Sequence, residues 1–219
     1  MVKSAFIAAT LVLWASTANA DVIGPNCSTC HNTSWELTYT VVDPVNFIYD
    51  FTLTATGGAS LDYAYIDAVA IKVASSDADY EGVQDLLSAP GGTSAWVDPA
   101  LLGTLSASAC NEGSAAGFAC TSAVGTEPNG ALAGGIDSWV FRINLLNTPG
   151  LLLTGIDAAS IKARFTDGNG NKVGALLSEN ITVSQVPEPA SLLLLGTGAA
   201  SAIGFARRRR SRAAEPTTV

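Results

Sequence analysis

The fold is decided by the run Trp35-Glu36-Leu37-Thr38-Tyr39-Thr40-Val41 and by the next run, Phe47-Ile48-Tyr49-Asp50-Phe51-Thr52-Leu53. In both runs large apolar side chains alternate with residues that are mostly polar. This alternation is typical of a β-strand with one buried face and one exposed face. Between the runs, Asp43-Pro44-Val45-Asn46 has the composition of a tight turn. The stretch therefore predicts a β-hairpin of two antiparallel strands.

The same alternation recurs farther along the chain, in residues 139–145 and 161–165. Residues 63–74 differ, because they are apolar on both faces except for Asp67 and Lys72. A strand that is apolar on both faces is typical of the centre of a sheet. We therefore expect several half-buried strands arranged around one fully buried strand.

Turns and short elements complete the pattern. Residues 167–171, Asp-Gly-Asn-Gly-Asn, predict a turn before strands at 172–177 and 180–184. One short helix is expected, around residues 80–87. The elements together predict an all-β domain over residues 21–185, an antiparallel two-sheet sandwich of jelly-roll-like type.

Composition limits the function as well as the fold. The chain has 219 residues, 48% of them hydrophobic and 14% charged, which is too apolar for disorder and too poor in charge for a coiled coil. The whole chain carries a net charge of -8, but residues 21–186 contain 17 acidic and 5 basic residues, a net of -12. This charge excludes nucleic-acid binding by the body, because neutralising phosphates requires clustered Lys and Arg.

The first twenty residues have the features of a secretory signal peptide. Lys3 gives a positive start, residues 5–15 are apolar, and Ala18-Asn19-Ala20 is a cleavage site of small residues. Cleavage between Ala20 and Asp21 would release the mature chain outside the cytoplasm. In such a compartment cysteines can be oxidised to disulfides.

The chain ends in a proline-rich step, an uncharged stretch and a basic cluster. Val186-Pro187-Glu188-Pro189 precedes residues 190–206, which carry no charge and would span about 25 Å as a helix. Arginines follow at 207–210, and positive residues stay on the cytoplasmic side of a membrane. We expect a flexible linker near Gln185, a transmembrane helix over 190–206 and a disordered tail over 211–219. A plain membrane anchor would explain the same pattern.

In order and spacing, residues 186–210 closely resemble the PEP-CTERM sorting signal of Gram-negative bacteria. The resemblance implies that an exosortase processes the chain near the Pro-Glu-Pro core while it passes through the inner membrane. It also implies delivery to the cell surface or to the extracellular polymer matrix. The residues it assigns to the signal are Pro187, Glu188, Pro189, Arg207, Arg208, Arg209 and Arg210. The resemblance indicates where the protein is delivered and implies no activity.

The body is also similar to one group of exported PEP-CTERM proteins. The shared features are a Cys-x-x-Cys before a Tyr/Leu-rich strand, a Leu-Leu-Ser-Ala-Pro-Gly-Gly loop at 86–92, a Cys-loop-Cys segment, and Ala-Leu-Leu-Ser-Glu-Asn-Ile-Thr at 175–182. This similarity covers most of the body and implies no activity either.

The cysteines support two competing hypotheses. Cys27-Ser28-Thr29-Cys30-His31 matches the Cys-x-x-Cys-His pattern of covalent haem c attachment. Against haem, His31 is the only histidine, the only methionine is lost with the signal, and no helical pocket surrounds the motif. Disulfides are the alternative. Cys110 and Cys120 bracket a loop of small residues and most simply pair with each other, as Cys27 would with Cys30, although cross-pairing stays open.

A calcium site is a further alternative. Asp167, Asn169 and Asn171 have the spacing of the first ligands of an EF-hand loop, but Lys172 and Ser178 stand where that loop requires Gly and Glu. A Gly/Asn-rich hairpin explains the same residues, so we assign no metal ligand. The densest acidic group, which fits a solvated loop or a cation site, is Asp77, Asp79, Glu81 and Asp85.

We predict a secreted, non-enzymatic structural or interaction protein of the cell surface or matrix. The second hypothesis is a polysaccharide-binding module, which would need exposed aromatic side chains among Trp35, Tyr63, Tyr65 and Trp96. An enzyme would have to use His31 as its imidazole, or a carboxylate pair of glycosidase type whose spatial separation the sequence does not give. No catalytic residue is assigned.

Overall fold

The structure, a computed structural model, describes residues 22–58, 65–74, 80, 85–97, 100–111, 117–125, 130–145 and 159–186. The predicted signal peptide at 1–20, the predicted span at 190–206 and the predicted tail at 211–219 lie outside these residues. Within the described ranges, no helix is both long enough and apolar enough to cross a membrane. The strands are β1 (Thr33–Asp43), β2 (Ile48–Gly57), β3 (Tyr65–Lys72), β4 (Asp85–Ser88), β5 (Ala100–Ser106), β6 (Ala109–Asn111), β7 (Phe118–Ser122), β8 (Ala131–Leu132), β9 (Ile136–Asn144), β10 (Ser160–Thr166), β11 (Leu177–Asn180) and β12 (Val183–Gln185).

Strands β1 and β2 form the predicted hairpin. Leu37 lies opposite Leu53 and Tyr39 lies opposite Phe51, and all four side chains are buried. The carboxylate of Asp43 closes the turn by accepting hydrogen bonds from two of the backbone N–H groups that follow it. The alternation in the sequence therefore sets both the hairpin and the face that it buries.

The strands form two sheets. The first sheet has the order β12-β1-β2-β9-β4, and the second has the order β11-β10-β3-β7-β5-β6, with β8 pairing to one end of β3. Every pair within these sheets is antiparallel except β1 with β12, which is parallel. Strand β3 lies inside the second sheet and is buried on both faces, as the sequence predicts.

Aromatic side chains join the two sheets across the core. The Trp35 ring lies 6.4 Å from that of Trp139 in a stacked arrangement, and 6.4 Å from that of Phe165, edge-on, in the second sheet. All three are essentially inaccessible to solvent, and burying a large apolar side chain contributes about 1.5–3 kcal/mol to folding. The predicted all-β, two-sheet antiparallel sandwich is confirmed, while its jelly-roll-like connectivity stays a prediction.

A second, smaller cluster lies on the other face of the second sheet. It joins Ala68 and Ala70 of β3 to Leu105 of β5 and to Phe118 and Cys120 of β7. The hairpin of β5 and β6 therefore contacts this outer face instead of extending into solvent. As a result β3 is covered on both sides.

The helix predicted around residues 80–87 is wrong where the structure describes that segment. Residues 85–88 form strand β4, in which Leu86 lies opposite Phe141 of β9 and is buried. The local pattern was too short to separate a helix from a strand, and burial of Leu86 against the core outweighs the weak local preference.

The last predicted strands are displaced in the structure. Lys172 makes only an isolated bridge to Thr166, and the regular strand β11 begins at Leu177. Gln185 is the last residue of strand β12, so the flexible linker expected near it does not include Gln185, and residues 187–189, where it would continue, lie outside the described residues. The ends of β11 and β12 are set by pairing with strands that are distant in the sequence, and the local sequence does not indicate which strands pair.

Candidate functional site

The Cys-x-x-Cys segment forms a compact corner before β1. A disulfide joins Cys27 to Cys30, and Cys30 is fully buried. The hydroxyl of Thr33 donates to the backbone oxygen of Cys30 and accepts from Nε1 of Trp35 at 2.6 Å. Upstream, Ile23 exchanges two backbone hydrogen bonds with Trp35, at 2.9 and 2.7 Å. This corner fixes the start of the first strand on the core.

The same corner is tied to the segment that carries β11. The hydroxyl of Thr29 donates to a carboxylate oxygen of Glu179 at 3.0 Å. Nε2 of His31 lies 3.0 Å from the backbone oxygen of Ala175, and its ring meets Phe165 edge-on at 4.7 Å. Since a carbonyl only accepts, this contact requires the proton on Nε2. The Cys-x-x-Cys corner and the segment at 175–182 thus contact each other, through hydrogen bonds that hold the fold together.

These contacts do not fit covalent haem. Both sulfurs of the motif are bonded to each other, so neither is available for a thioether to a porphyrin. The Nε2 atom of His31, which would ligate iron, is held by a backbone carbonyl instead. The haem hypothesis receives no support from this arrangement.

The second disulfide joins Cys110 of β6 to Cys120 of β7. Strand β5 pairs with β7 near its start and with β6 near its end, so the bond links the two neighbours of β5. The pairing is the one that the loop between these cysteines most simply suggests. All four cysteines lie within the described residues, and each is in a disulfide.

The turn at Asp167 explains the residues with calcium-ligand spacing. Oδ1 of Asp167 accepts from the backbone N–H groups of Asn169 and Asn171, at 2.9 and 2.8 Å. Nδ2 of Asn171 donates to the other carboxylate oxygen at 3.2 Å. These hydrogen bonds, led by that of the Asn171 side chain, lower the pKa of Asp167 below its ordinary value. Donors thus occupy the carboxylate and stabilise a hairpin turn.

No cluster of metal-ligating side chains occurs among the residues that the structure describes. Of the acidic group around residue 80, Asp77, Asp79 and Glu81 lie outside those residues. Asp85 lies in β4 directly opposite Arg142 of β9, which gives it a cationic neighbour in the first sheet.

The aromatic residues proposed as a sugar-stacking platform are mostly in the core. Trp35 is 0% exposed and Trp96 is 4% exposed, and Nε1 of Trp96 donates to the backbone oxygen of Pro90 at 2.8 Å. Tyr65 is half-buried, and Tyr63 lies outside the described residues. Burial of both tryptophans counts against polysaccharide binding by aromatic stacking.

The end of the body is attached to the first sheet up to its last described residue. The backbone N–H of Val186 donates to the oxygen of Tyr39 at 2.9 Å, and the Tyr39 hydroxyl donates to Oε1 of Gln185 at 3.3 Å. The Pro-Glu-Pro core follows at once in the sequence. Pro187, Glu188, Pro189 and the four arginines lie outside the described residues, as do the cleavage residues Ala20 and Asp21.

One polar cluster was not identified from the sequence. On the outer face of the second sheet, the ammonium groups of Lys72 and Lys162 lie 5.9 and 4.3 Å from the centre of the Phe118 ring. The sequence offered a weak signal at Lys72, which interrupts a mostly apolar run, and none at Lys162, which stands at a polar position of an alternating strand. It could not show that the two strands are neighbours.

The comparisons with known proteins bear on the end of the chain. A family model described as the PEP-CTERM protein-sorting motif matches residues 185–210. The chain therefore carries this motif, as the sequence resemblance indicated. The motif supports an exported protein that an exosortase recognises, and a location at the cell surface or outside the cell.

The comparisons say little about the body. A search of the curated proteins found no match. A solved structure described as "AvmM Catalyzes Macrocyclization in Alchivemycin A Biosynthesis" is similar at 15% identity, over 78% of this chain and 90% of that chain, with a TM-score of 0.29. At this score the similarity carries no argument about fold or function.

Proposed function

We propose that the protein is a non-enzymatic structural or interaction protein, delivered by its PEP-CTERM motif to the cell surface or the extracellular matrix. The observation that carries the proposal is the match of residues 185–210 to the sorting motif. A compact body ends where the motif begins, since β12 runs to Gln185. An exosortase would therefore meet its recognition sequence directly beside a folded domain.

The body has properties that suit such a location. Its two disulfides form and persist in oxidising compartments. Its net charge of -12 favours solubility and repels similar neighbours. The sandwich buries large aromatic side chains, with Trp35, Trp139 and Phe51 fully buried. These features support a stable secreted scaffold.

A structural role also agrees with how polar groups of the body are used. Asp50 and Asp67 form ion pairs with arginines, Asp167 closes a turn, and Glu179 accepts from Thr29. Each of these carboxylates has a partner within the fold. They support a scaffold more directly than they support an acid–base pair, which leaves a carboxylate-based hydrolase as the weaker alternative.

The test is the intact mass of the protein from the cell-surface, membrane and medium fractions of a host with an active exosortase. We expect a product that lacks residues 1–20 and the chain beyond the Pro-Glu-Pro region. Its mass before reduction should show that all four cysteines are oxidised.

A matched pair of variants separates sorting from folding. Glu188→Ala, in the motif, should leave the protein unprocessed in the membrane fraction. Glu36→Ala, at a half-buried position of β1 outside the motif, should be processed like the wild type. A surface product that retains residues 190–210 would contradict the proposal.

A further inference from the structure

Two lysines share one aromatic ring on the outer face of the second sheet. Nζ of Lys162, in β10, lies 4.3 Å from the centre of the Phe118 ring, and Nζ of Lys72, in β3, lies 5.9 Å from it. Both side chains are half-buried, and Phe118 is buried. Nζ of Lys162 also donates to the hydroxyl of Thr104 at 3.0 Å. The two ammonium groups are thus gathered at one place.

The carboxylates of the described residues do not neutralise this pair. Asp67, the acidic residue of β3, is bound by Arg164 through Nε at 2.8 Å and through Nη2. Glu179 of β11 accepts from Thr29 instead. Neither lysine forms an ion pair in the described part of the chain. Burial, followed by repulsion from Lys72, lowers the pKa of Lys162, so two like charges oppose each other there.

The positions of Lys72 and Lys162 are not explained by lysine stems that merely cover the apolar surface of the sheet. A surface lysine usually lays its apolar stem over neighbouring side chains and leaves its ammonium in water. Here the ammonium of Lys162 itself is held, by the hydroxyl of Thr104 and the ring of Phe118. The body has five basic residues against seventeen acidic ones, so two cations without an ion pair among the described residues are unusual for this chain.

A disulfide and strand pairing hold the residues around the two lysines in position. The Cys110–Cys120 disulfide links the strands that flank β5, and Cys120 packs in the same outer cluster as Phe118. Thr104 is carried by β5, which is hydrogen-bonded on both sides. The ring, the hydroxyl and the lysines are therefore carried by paired strands, and this limits the reorganisation that binding requires.

We propose that Lys72, Lys162, Thr104 and Phe118 form a binding site for a single carboxylate or sulfate group. The two ammonium groups supply charge-assisted hydrogen bonds to the oxyanion. The Phe118 ring stabilises the two cations through cation–π contacts. In an exported protein such a group would come from an acidic sugar of a polysaccharide or from a free small acid. The site goes beyond the proposed function and does not depend on the sorting route.

The experiment uses the full chain in mild detergent, with its lysines labelled with ¹³C at the ε carbon and observed by NMR. The probes are glucuronate and inorganic sulfate, and glucose is the neutral control. We expect the Lys72 and Lys162 signals to shift in a saturable way with both anions and not with glucose. Lys162→Met, which removes the charge and keeps the stem, should weaken glucuronate binding by about tenfold or more. Lys72→Met should weaken it as well.

Lys172→Met is the matched control, because Lys172 is exposed and its Nζ is bound to the oxygen of Gly174. It should bind glucuronate like the wild type. Thermal unfolding of each variant shows that it is folded, and Lys162→Arg keeps the charge and should retain binding. Oligoalginate, an acidic oligosaccharide, distinguishes the two sources of the bound group. If oligoalginate binds more tightly than glucuronate, the natural ligand is an acidic polysaccharide. If the two bind equally, it is a small acid.

Either source is consistent with the site. The proposal is overturned if glucuronate shifts the two lysines no more than NaCl of equal ionic strength. It is equally overturned if folded Lys162→Met and Lys72→Met bind glucuronate as tightly as Lys172→Met does.

Discussion

The two Asp–Arg pairs of the sandwich allow the effect of burial on an ion pair to be measured within one protein. Asp67 and Arg164, in the second sheet, have side chains that are 11% and 16% exposed. Asp50 and Arg142, in the first sheet, are 18% and 38% exposed. In each pair the guanidinium donates two hydrogen bonds to the carboxylate. The hydrogen bonding within the pairs is therefore matched, while the access of water differs and Arg142 also has Asp85 as a neighbour.

We expect Asp67→Ala to be the more costly change. It leaves the Arg164 guanidinium largely desolvated with, among the described residues, one weak remaining acceptor, the oxygen of Ala107 at 3.2 Å. Breaking a fully buried pair costs about 3–5 kcal/mol, and the partial exposure here reduces that to about 2–3 kcal/mol. Asp50→Ala leaves an arginine that water can reach, so its cost should be about 1 kcal/mol or less.

The assay is urea unfolding of the full chain in mild detergent, followed by tryptophan fluorescence. A double-mutant cycle for each pair, with alanine at each partner, isolates the coupling energy from the loss of the side chains. The Asp67–Arg164 coupling should be at least about twice that of Asp50–Arg142. Added NaCl should weaken the exposed pair more, because salt screens exposed charges more strongly. Equal couplings, or a larger value for Asp50–Arg142, would refute the reasoning.

Two further predictions concern the disulfides and the Asp167 turn. The chain-entropy model predicts that replacing both cysteines by alanine costs about 2 kcal/mol for Cys27–Cys30 and about 3 kcal/mol for Cys110–Cys120, because the second bond closes the longer loop. Each bond has one buried and one half-buried cysteine, so burial is matched. Urea unfolding that shows equal costs, or a larger cost for Cys27–Cys30, would contradict the model. For Asp167, hydrogen bonds lower the pKa below 3.8 in the folded state; the stability they add is complete above that ordinary value and is lost as pH falls through the lower folded pKa. The urea midpoint of Asp167→Ala should therefore be below that of the wild type at neutral pH and approach it in strong acid, and a constant gap would show that the carboxylate charge is not the source.

Several features of the fold were predictable because they are local. The alternation around Tyr39 and Phe51 gave the first hairpin, and the apolar run around Val69 gave the central strand of the second sheet. In a strand the side-chain period depends only on backbone geometry, so it can be read without knowing the partner. Strand β4 was missed because four residues carry too little periodicity, and its identity rests on pairing with β9.

The candidate site could not be predicted, since its residues are distant in the chain. Lys72 and Lys162 are brought together because β3 and β10 pair in the register that places Ser160 opposite Lys72 and Lys162 opposite Ala70. Phe118 reaches them because β7 lies on the other side of β3. Strand order follows from non-local packing, and many orders are compatible with the same alternating pattern.

The sequence by itself determined the sorting motif of this protein and the strand content and charge of its body. The Pro-Glu-Pro core with its uncharged stretch and arginines, the alternating strands and the acidic composition are all properties of consecutive residues. Only the tertiary structure decided that β12 docks in parallel on β1 up to the sorting motif, and that two lysines meet over Phe118. Such contacts are selected by burial and hydrogen bonding across the whole sandwich, where the gain from packing outweighs any local preference.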